Sequence, residues 1–139
     1  MQGIWAAWMQ VWCWGVLAFG VLLTTAAAPG FDGLVRPLYE VLGGGENAAA
    51  FDTNPVRFGL GLQGALTIGW AVTMMAMVRA AATLGAPVWR ALTFALVLWY
   101  VIDSAISIAT GFAPNALSNT ALLVAYLAPV LASGVLTRT

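Results

Sequence analysis

Residues 91–110, ALTFALVLWYVIDSAISIAT, form an apolar stretch with one acid, Asp103, near its middle. An α-helix rises about 1.5 Å per residue, so a helix of this length matches a hydrocarbon core of about 30 Å. An aspartate at the centre of a membrane helix costs about 2.5–3.5 kcal/mol on the insertion scale. Because other apolar stretches lie before and after this one, we expect Asp103 to lie inside a helix bundle, where polar partners offset that cost.

The composition favours a membrane protein. Of the 139 residues 62% are hydrophobic and 7% are charged, whereas a soluble domain carries about 25% charged residues to keep its surface wetted. The net charge is zero and the chain has no basic run, so nucleic-acid binding is not expected. With no histidine and one cysteine, Cys13, the chain lacks the ligands of most metal sites and of histidine-bound haem. We expect Cys13 to be a buried packing residue.

The hydrophobic pattern predicts four transmembrane helices, at about residues 4–28, 58–78, 88–111 and 116–136. The last three are joined by short connections, which favour antiparallel neighbours. The predicted fold is therefore an all-α membrane protein, a single-domain antiparallel four-helix bundle. A cleaved signal peptide is the alternative for the first span, but no Lys or Arg precedes the apolar run and Pro29 follows its small residues, so we expect a retained span.

Residues 29–57 form a long polar loop between the first two spans, with four acids and two arginines. Apolar residues recur at near-helical spacing from Phe31 to Leu42, which predicts a short amphipathic helix on the membrane surface or folded over the bundle. The glycines at 43–45 are expected to end it. A lid, a partner contact and a solvated connector are the alternative roles for this loop.

Glycines in the second span predict helix packing. Gly59-x-Gly61-x-x-Gly64 formally matches the dinucleotide fingerprint, but it lies inside a predicted membrane helix, without the strand that the motif needs. Gly61, Ala65 and Gly69 repeat every four residues, a pattern that lets a second helix approach closely.

Aromatic residues and a proline mark the first and fourth spans. Trp5, Trp8 and Trp12 share one face of the first span. An aromatic belt with internal packing is one interpretation of this face, and a surface for a partner helix, a pigment or a quinone is the other. Pro129 in the fourth span is expected to free a backbone carbonyl one turn earlier and to bend the helix.

Arginine placement predicts the orientation. The connection between the second and third spans has Arg79 and Arg90 and no acid, and Arg138 follows the fourth span. By the positive-inside rule we expect both termini in the cytoplasm, the long loop outside, and the chain in the cell inner membrane as a multi-pass protein.

The third span carries a polar stripe on one face, made of Thr93, Tyr100, Asp103, Ser107 and Thr110. An unsatisfied polar group in hydrocarbon costs several kcal/mol, so the stripe is expected to face other helices.

Matching depth from the predicted outer helix ends suggests partners for Asp103. On the second span, Gln63 and Thr67 fall within a turn of its height, and Trp99 lies four residues earlier on its own helix. On the fourth span the same depth falls near Val124, with Asn119 closer to the surface. We expect a set of polar and aromatic residues to bind a ligand, or to pin the third helix against the second: Asp103, Gln63, Thr67, Ser107, Tyr100 and Trp99.

The order of the segments also has a known counterpart. A first span is followed by a long loop with a partial helix, then by Arg57-Phe58-Gly59-Leu60-Gly61 at the start of a glycine-rich span, and by two closely connected spans. This layout resembles small bacterial four-helix membrane proteins of the DoxX-like kind over most of the chain. The resemblance implies the four-helix fold. Some members of that group are linked to thiosulfate and quinone oxidation, but the layout carries no catalytic residue across.

Three functions are compatible with these features. The first is a non-catalytic accessory or structural subunit of a larger membrane complex, in contact with lipid and with other membrane subunits. The second is a binder or carrier of an apolar ligand, such as a lipid, a quinone or a carotenoid, held by the polar cluster around Asp103. The third, a redox or proton-transfer subunit, is the least favoured, because the sequence offers no resident cofactor site and no second ionisable group at that depth.

Overall fold

The computed structural model of the chain describes Met1 and residues 3–137, apart from the side chain of Glu46. These residues form five α-helices: α1 (Ile4–Thr24), α2 (Val35–Ala48), α3 (Asn54–Leu84), α4 (Ala86–Ala109) and α5 (Ala113–Ala132). One 3-10 turn follows α1 and another precedes α3. All of these helices except α2 are long and apolar enough to cross a membrane. The predictions of an all-α chain and of four such helices are confirmed. Arg138, which entered the predicted orientation, lies outside the described residues.

The helix ends differ from the predicted ones, most clearly in α3. This helix has 31 residues, beginning at Asn54 rather than 58 and ending at Leu84 rather than 78. The seven residues 81–87, expected to form a turn, reduce to a single link at Gly85, whose φ of 76° breaks the helix. The reason is that alanine and leucine, the strongest helix formers, continue the helix to the glycine. At the other boundary, α5 ends at Ala132 rather than 136.

Helices α1 and α3 approach most closely at glycines. A Cβ placed on Gly64 would lie 2.5 Å from the backbone nitrogen of Thr24, and one on Gly20 would lie 2.9 Å from the backbone nitrogen of Ile68. A Cβ placed on Gly61 would lie 2.9 Å from the Cβ of Ala27. Of the small residues Gly61, Ala65 and Gly69, which were expected to contact a second helix, only Gly61 does so. Ala65 and Gly69 are exposed, and a Cβ on Gly69 would meet nothing within 4 Å. Helix rotation places Gly61 and Gly64, three residues apart, on the contact face instead.

Two apolar clusters lie at different levels of the molecule. The larger one joins α1, α3, α4 and α5 around Met9, Cys13, Trp89, Tyr126 and Val130, each at most 2% exposed. The smaller one packs Leu23, Ala26, Val35 and Phe51 beneath the polar loop. The side chains between the two clusters do not fill the space there, and a cavity remains.

Helix α2 forms where the amphipathic helix was expected. Pro37 falls in its first turn, where a missing N–H leaves no helical bond unmade. The helix is interrupted at Gly44, with φ 64° and ψ 175°, and a further turn continues to Ala48, so the glycines kink it rather than end it. Phe31 precedes the helix and is 77% exposed.

Candidate functional site

A cavity of about 480 Å³ lies between the two apolar clusters, and it is partly open to the outside. All five helices contribute to its wall. The apolar part of the wall comes mainly from α1, α2 and the aromatic pair Trp70 and Trp99, whose ring centroids lie 5.5 Å apart. A patch of polar side chains from α4 and α5 forms the polar side, and Gln63 and Thr67 of α3 add further polar groups to the wall.

Asp103 is the centre of the polar side. Asn119 Nδ2 donates to Asp103 Oδ1 over 2.7 Å, and Asn115 Nδ2 donates to the same oxygen over 3.1 Å. The Ser107 hydroxyl lies 3.3 Å from this oxygen and donates to the Asp103 backbone carbonyl over 2.8 Å. Bonds from amide hydrogens to a carboxylate offset the cost of placing an acid in an apolar helix. We call Asp103, Ser107, Asn115 and Asn119 the polar pole.

The partners of Asp103 differ from the predicted ones. The bonds from Asn115 and Asn119 to Asp103 tie α5 to α4, whereas depth matching favoured Gln63 and Thr67 on α3. The cause is the position of the helix ends: Asp103 lies six residues before the end of α4, and Asn119 lies six residues after the start of α5. The predicted ends, 111 and 116, place the fourth span too near the surface by five residues relative to the third, which moves Val124 rather than Asn119 to the level of Asp103.

The cavity still brings together most of the predicted set. Gln63, Thr67, Trp99 and Ser107 line it along with Asp103. Thr67 donates to the backbone carbonyl of Gln63 within α3 and makes no bond to Asp103 among the described residues. Tyr100 lies outside the lining, and its hydroxyl is 3.0 Å from the Thr120 hydroxyl of α5.

Asn115 is the functional candidate that sequence reasoning missed. A signal for it exists, because Asn115 and Asn119 are four residues apart and therefore share one face of a helix that packs on the polar stripe of α4. The stripe does face α5 from Thr93 to Ser107, whereas Thr110 bonds within α4. Besides the Asp103 bonds, the Thr93 hydroxyl lies 3.3 Å from that of Tyr126.

The tryptophan face of α1 packs inside the molecule at Trp12, whereas Trp8 is 47% exposed. Trp12 is 6% exposed and contacts the rings of Tyr126 and Trp70, with centroids 5.5 and 6.0 Å away. Its indole donates to the Leu122 carbonyl over 3.0 Å, and the Trp8 indole donates to the Ala125 carbonyl over 2.8 Å. Trp5 is half-buried. These contacts support the packing interpretation of the face over a free surface for a pigment or partner.

Helix α2 covers the outer side of the cavity. Val35, Leu38, Tyr39 and Leu42 line it, at the spacing of one helix face. The ring of Tyr39 packs against Phe112, in the link between α4 and α5, with centroids 5.3 Å apart. Beneath it, Gly43 contacts the same ring so closely that a Cβ there would lie 2.5 Å from a Phe112 ring carbon.

A cluster of two arginines and two aspartates holds the polar loop to the bundle. Asp52 Oδ1 lies 2.7 Å from guanidinium nitrogens of both Arg36 and Arg57, and Asp32 Oδ2 lies 3.1 and 2.8 Å from the same two groups. Arg57 also donates to the Ala26 carbonyl over 2.8 Å. Both guanidiniums lie over the ring of Phe51, 4.5 and 4.9 Å from its centroid. We call these four charged residues the charge cluster.

The charge cluster lowers the pKa of both acids. Hydrogen bonds from Arg36 and then Arg57 hold the pKa of Asp52 well below its usual range, and a hydrogen bond from Arg57 does the same for Asp32. Burial opposes these effects but does not reverse them. The cluster joins α2, the turn before α3 and the first turns of α3, so it fixes the lid-like helix α2 at one end.

Within the part of the chain that the structure describes, no three Cys, Asp or Glu side chains gather as metal ligands. No family model, no curated protein and no solved structure matches this chain. The similarity to the DoxX-like proteins therefore rests on the order of the spans and stays a prediction.

Proposed function

We propose that this chain is a multi-pass protein of the cell inner membrane, an antiparallel four-helix bundle with both termini in the cytoplasm. Its four long helices have the length and composition for this, and large apolar side chains are exposed on each of them, among them Trp14, Phe58, Val101 and Leu131. Lipid is a solvent that makes such exposure favourable, whereas water is not. The DoxX-like layout is consistent with the same arrangement.

We infer that the protein binds or carries an amphiphilic small molecule and does not catalyse a reaction. The observation that carries this proposal is the cavity, whose volume of about 480 Å³ falls in the range of about 300–1,000 Å³ typical of ligand sites. A mostly apolar wall with a few convergent polar groups is the usual design of such a site. The polar pole would hold the head of the ligand, and the apolar wall and α2 would enclose its body.

A lid role for α2 follows from its contacts. The helix closes the cavity with apolar side chains on one face, while Leu34 and Val41 on another face are 76% and 70% exposed. A helix with two apolar faces suits the boundary between a bundle and lipid. A ligand that arrives from the bilayer would meet this element first.

The hypothesis of an accessory subunit receives less support. Its positive evidence was the tryptophan face and the small-residue stripe, and in the structure Trp8 and Trp12 donate to α5 while Gly61 contacts the end of α1. The apolar surfaces that remain exposed are equally suited to lipid, so they do not favour a protein partner.

Filling the cavity provides the first test of ligand binding. Gly15 lines the cavity, and a Cβ there would meet nothing within 4 Å, so we expect Gly15→Leu to fit and to fill part of the cavity. Native mass spectrometry of protein purified in a mild detergent should show a bound small molecule in the wild type and little in Gly15→Leu. Gly69→Leu is the matched control, because Gly69 is equally free but lies outside the cavity.

Changing the polar pole provides the second test. Asp103→Asn should lower the bound fraction about tenfold or more, since a hydrogen bond to a charged group is worth about 1.5–3 kcal/mol. Thr120→Val is the control, because it removes an α4–α5 hydrogen bond outside the cavity. A wild type without ligand, or equal occupancy in wild type and Gly15→Leu, would refute the proposal.

A further inference from the structure

The hydrogen bonds of the polar pole leave it with acceptors and few donors. A side-chain amide has two hydrogens. Asn115 directs Nδ2 at Asp103 Oδ1 and at Ser107 Oγ, over 3.1 and 2.9 Å, and Asn119 directs Nδ2 at Asp103 Oδ1 and at Ser104 Oγ, over 2.7 and 3.4 Å. Both amide nitrogens are therefore directed at acceptors within the protein.

The hydroxyl donors nearby are used in the same way. Ser107 donates to the Asp103 carbonyl, Thr110 to the Ile106 carbonyl, and Ser118 to the Pro114 carbonyl. These bonds stay within one helix turn, as is usual for Ser and Thr in apolar helices.

The oxygens that remain are acceptors. Across the described residues, no donor is bonded to Asp103 Oδ2 or to the Oδ1 atoms of Asn115 and Asn119. The cavity lining also includes no arginine or lysine to balance the charge of the Asp103 carboxylate. Other donors do remain in the lining, on Gln63, Trp70 and Trp99 and on the hydroxyl of Tyr39, but none of them bonds to Asp103, so they would meet other parts of a ligand.

We propose that the polar pole selects amphiphiles whose head group donates hydrogen bonds, an ammonium most strongly and a hydroxyl next, and rejects anionic heads and heads that only accept. This inference rests on the proposed function and narrows its ligand class. A head group with donors can hydrogen-bond to Asp103 Oδ2 and to the two amide oxygens. A cationic head group also balances the negative charge of the carboxylate. An acceptor-only head, such as a quinone carbonyl, leaves all three oxygens unpaired in an apolar cavity, which is costly. A hydrocarbon carotenoid has no donor that could hydrogen-bond to the polar pole.

The test compares four probes with the same dodecyl chain and different heads: dodecylamine, 1-dodecanol, methyl dodecanoate and dodecanoate. Each is titrated into the full-length protein in a neutral detergent, and the bound fraction is measured by native mass spectrometry. The amine should bind most tightly, the alcohol next, and the ester and the carboxylate at least tenfold more weakly than the amine. Equal binding of amine and ester by the wild type would overturn the selectivity, and this comparison depends on no variant.

Asp103→Asn tests the same assignment independently. Its amide oxygen can still accept from Asn115 and Asn119, which turns its NH2 group toward the cavity in place of Oδ2. The preference for amine over ester should then disappear or reverse, while Thr120→Val should keep it. An unchanged preference in Asp103→Asn would contradict the inference.

The outcomes separate the two proposals. If the wild type binds all four probes alike and Gly15→Leu binds none, the cavity is a ligand site without head-group selectivity, and only the inference fails. If the wild type binds no probe, or Gly15→Leu binds them as the wild type does, the proposed function fails with it.

Discussion

Pro129 removes a backbone N–H from the last turn of α5, and the indole of Trp8 bonds to the carbonyl that this leaves free. The carbonyl of Ala125 lies four residues before Pro129, so it has no helical donor, and Trp8 Nε1 reaches it over 2.8 Å. The carbonyl of Pro129 itself keeps its helical bond, from the backbone N–H of Ser133 over 3.0 Å, and also accepts from the Ser133 hydroxyl over 2.6 Å. A freed carbonyl was predictable from the sequence, but its donor from α1 was not, because the two residues are 117 positions apart.

The bond between Trp8 and Ala125 predicts a measurable coupling. Trp8→Phe should lower the free energy of unfolding in detergent by about 0.5–1.5 kcal/mol, since it removes one hydrogen bond. In a Pro129→Ala background the backbone N–H of residue 129 can bond to the Ala125 carbonyl. Trp8→Phe should then lower the free energy of unfolding by less. A double-mutant cycle measures the difference. Equal costs in both backgrounds would show that Trp8 acts through packing alone.

At the scale of elements, the glycine contact between α1 and α3 sets their spacing. Gly64→Ala should destabilise the protein by about 1–3 kcal/mol, because its methyl group would meet the backbone of α1, which moves less easily than a side chain. Gly69→Ala, in the same helix, should be neutral or stabilise by up to about 1 kcal/mol, since alanine is the better helix former and nothing lies near. Unfolding in detergent, followed by circular dichroism, compares the two variants. A similar loss in both would indicate that helix propensity, not contact, decides the outcome.

The attachment of α2 should depend on pH. Asp32 and Asp52 have pKa values lowered by their arginines, so the charge cluster contributes its full stability above the ordinary aspartate pKa of about 3.9. Its contribution is lost as the pH falls from there toward the lowered values, because the unfolded chain then binds more protons than the folded one. The Tm of the wild type should therefore fall below about pH 4.

Variants separate protonation of the charge cluster from acid denaturation caused by other groups. The double variant Asp32→Asn, Asp52→Asn should melt at a lower temperature at pH 7 and should depend less on pH below 4. Glu40→Gln is the control, because Glu40 is exposed and makes no bond to the charge cluster among the described residues. A wild-type Tm that falls with acid no more steeply than that of the double variant would contradict the role of the cluster.

For the whole molecule, the proposed orientation can be tested with cysteines introduced into Cys13→Ala protein. Glu40 and Thr83 are both exposed. Glu40 belongs to α2, which precedes the start of α3, and Thr83 lies in the last turn of α3. In intact cells with a permeable outer envelope, a membrane-impermeant maleimide should label Glu40→Cys, and should label Thr83→Cys only after the membrane is opened. The reverse pattern would invert the topology, and labelling of both in intact cells would contradict a span through α3.

The sequence alone determined the helices and their apolar character. Four helices long and apolar enough for a membrane, a helix in the polar loop and a buried Cys13 follow from composition and from local periodicity, which act over a few residues. The polar stripe of α4 was also visible, and so was its need for partners within the protein.

Tertiary structure decided which partners those are. A shift of a few residues in the ends of α4 and α5 moves side chains by about 1.5 Å per residue along their axes, and this brings Asn115 and Asn119 to Asp103 in place of Gln63 and Thr67. The charge cluster likewise unites residues up to 25 positions apart around one ring. The cavity depends on tertiary structure most of all, because it is the space that five helices leave between them, and no local pattern in any one helix encodes it.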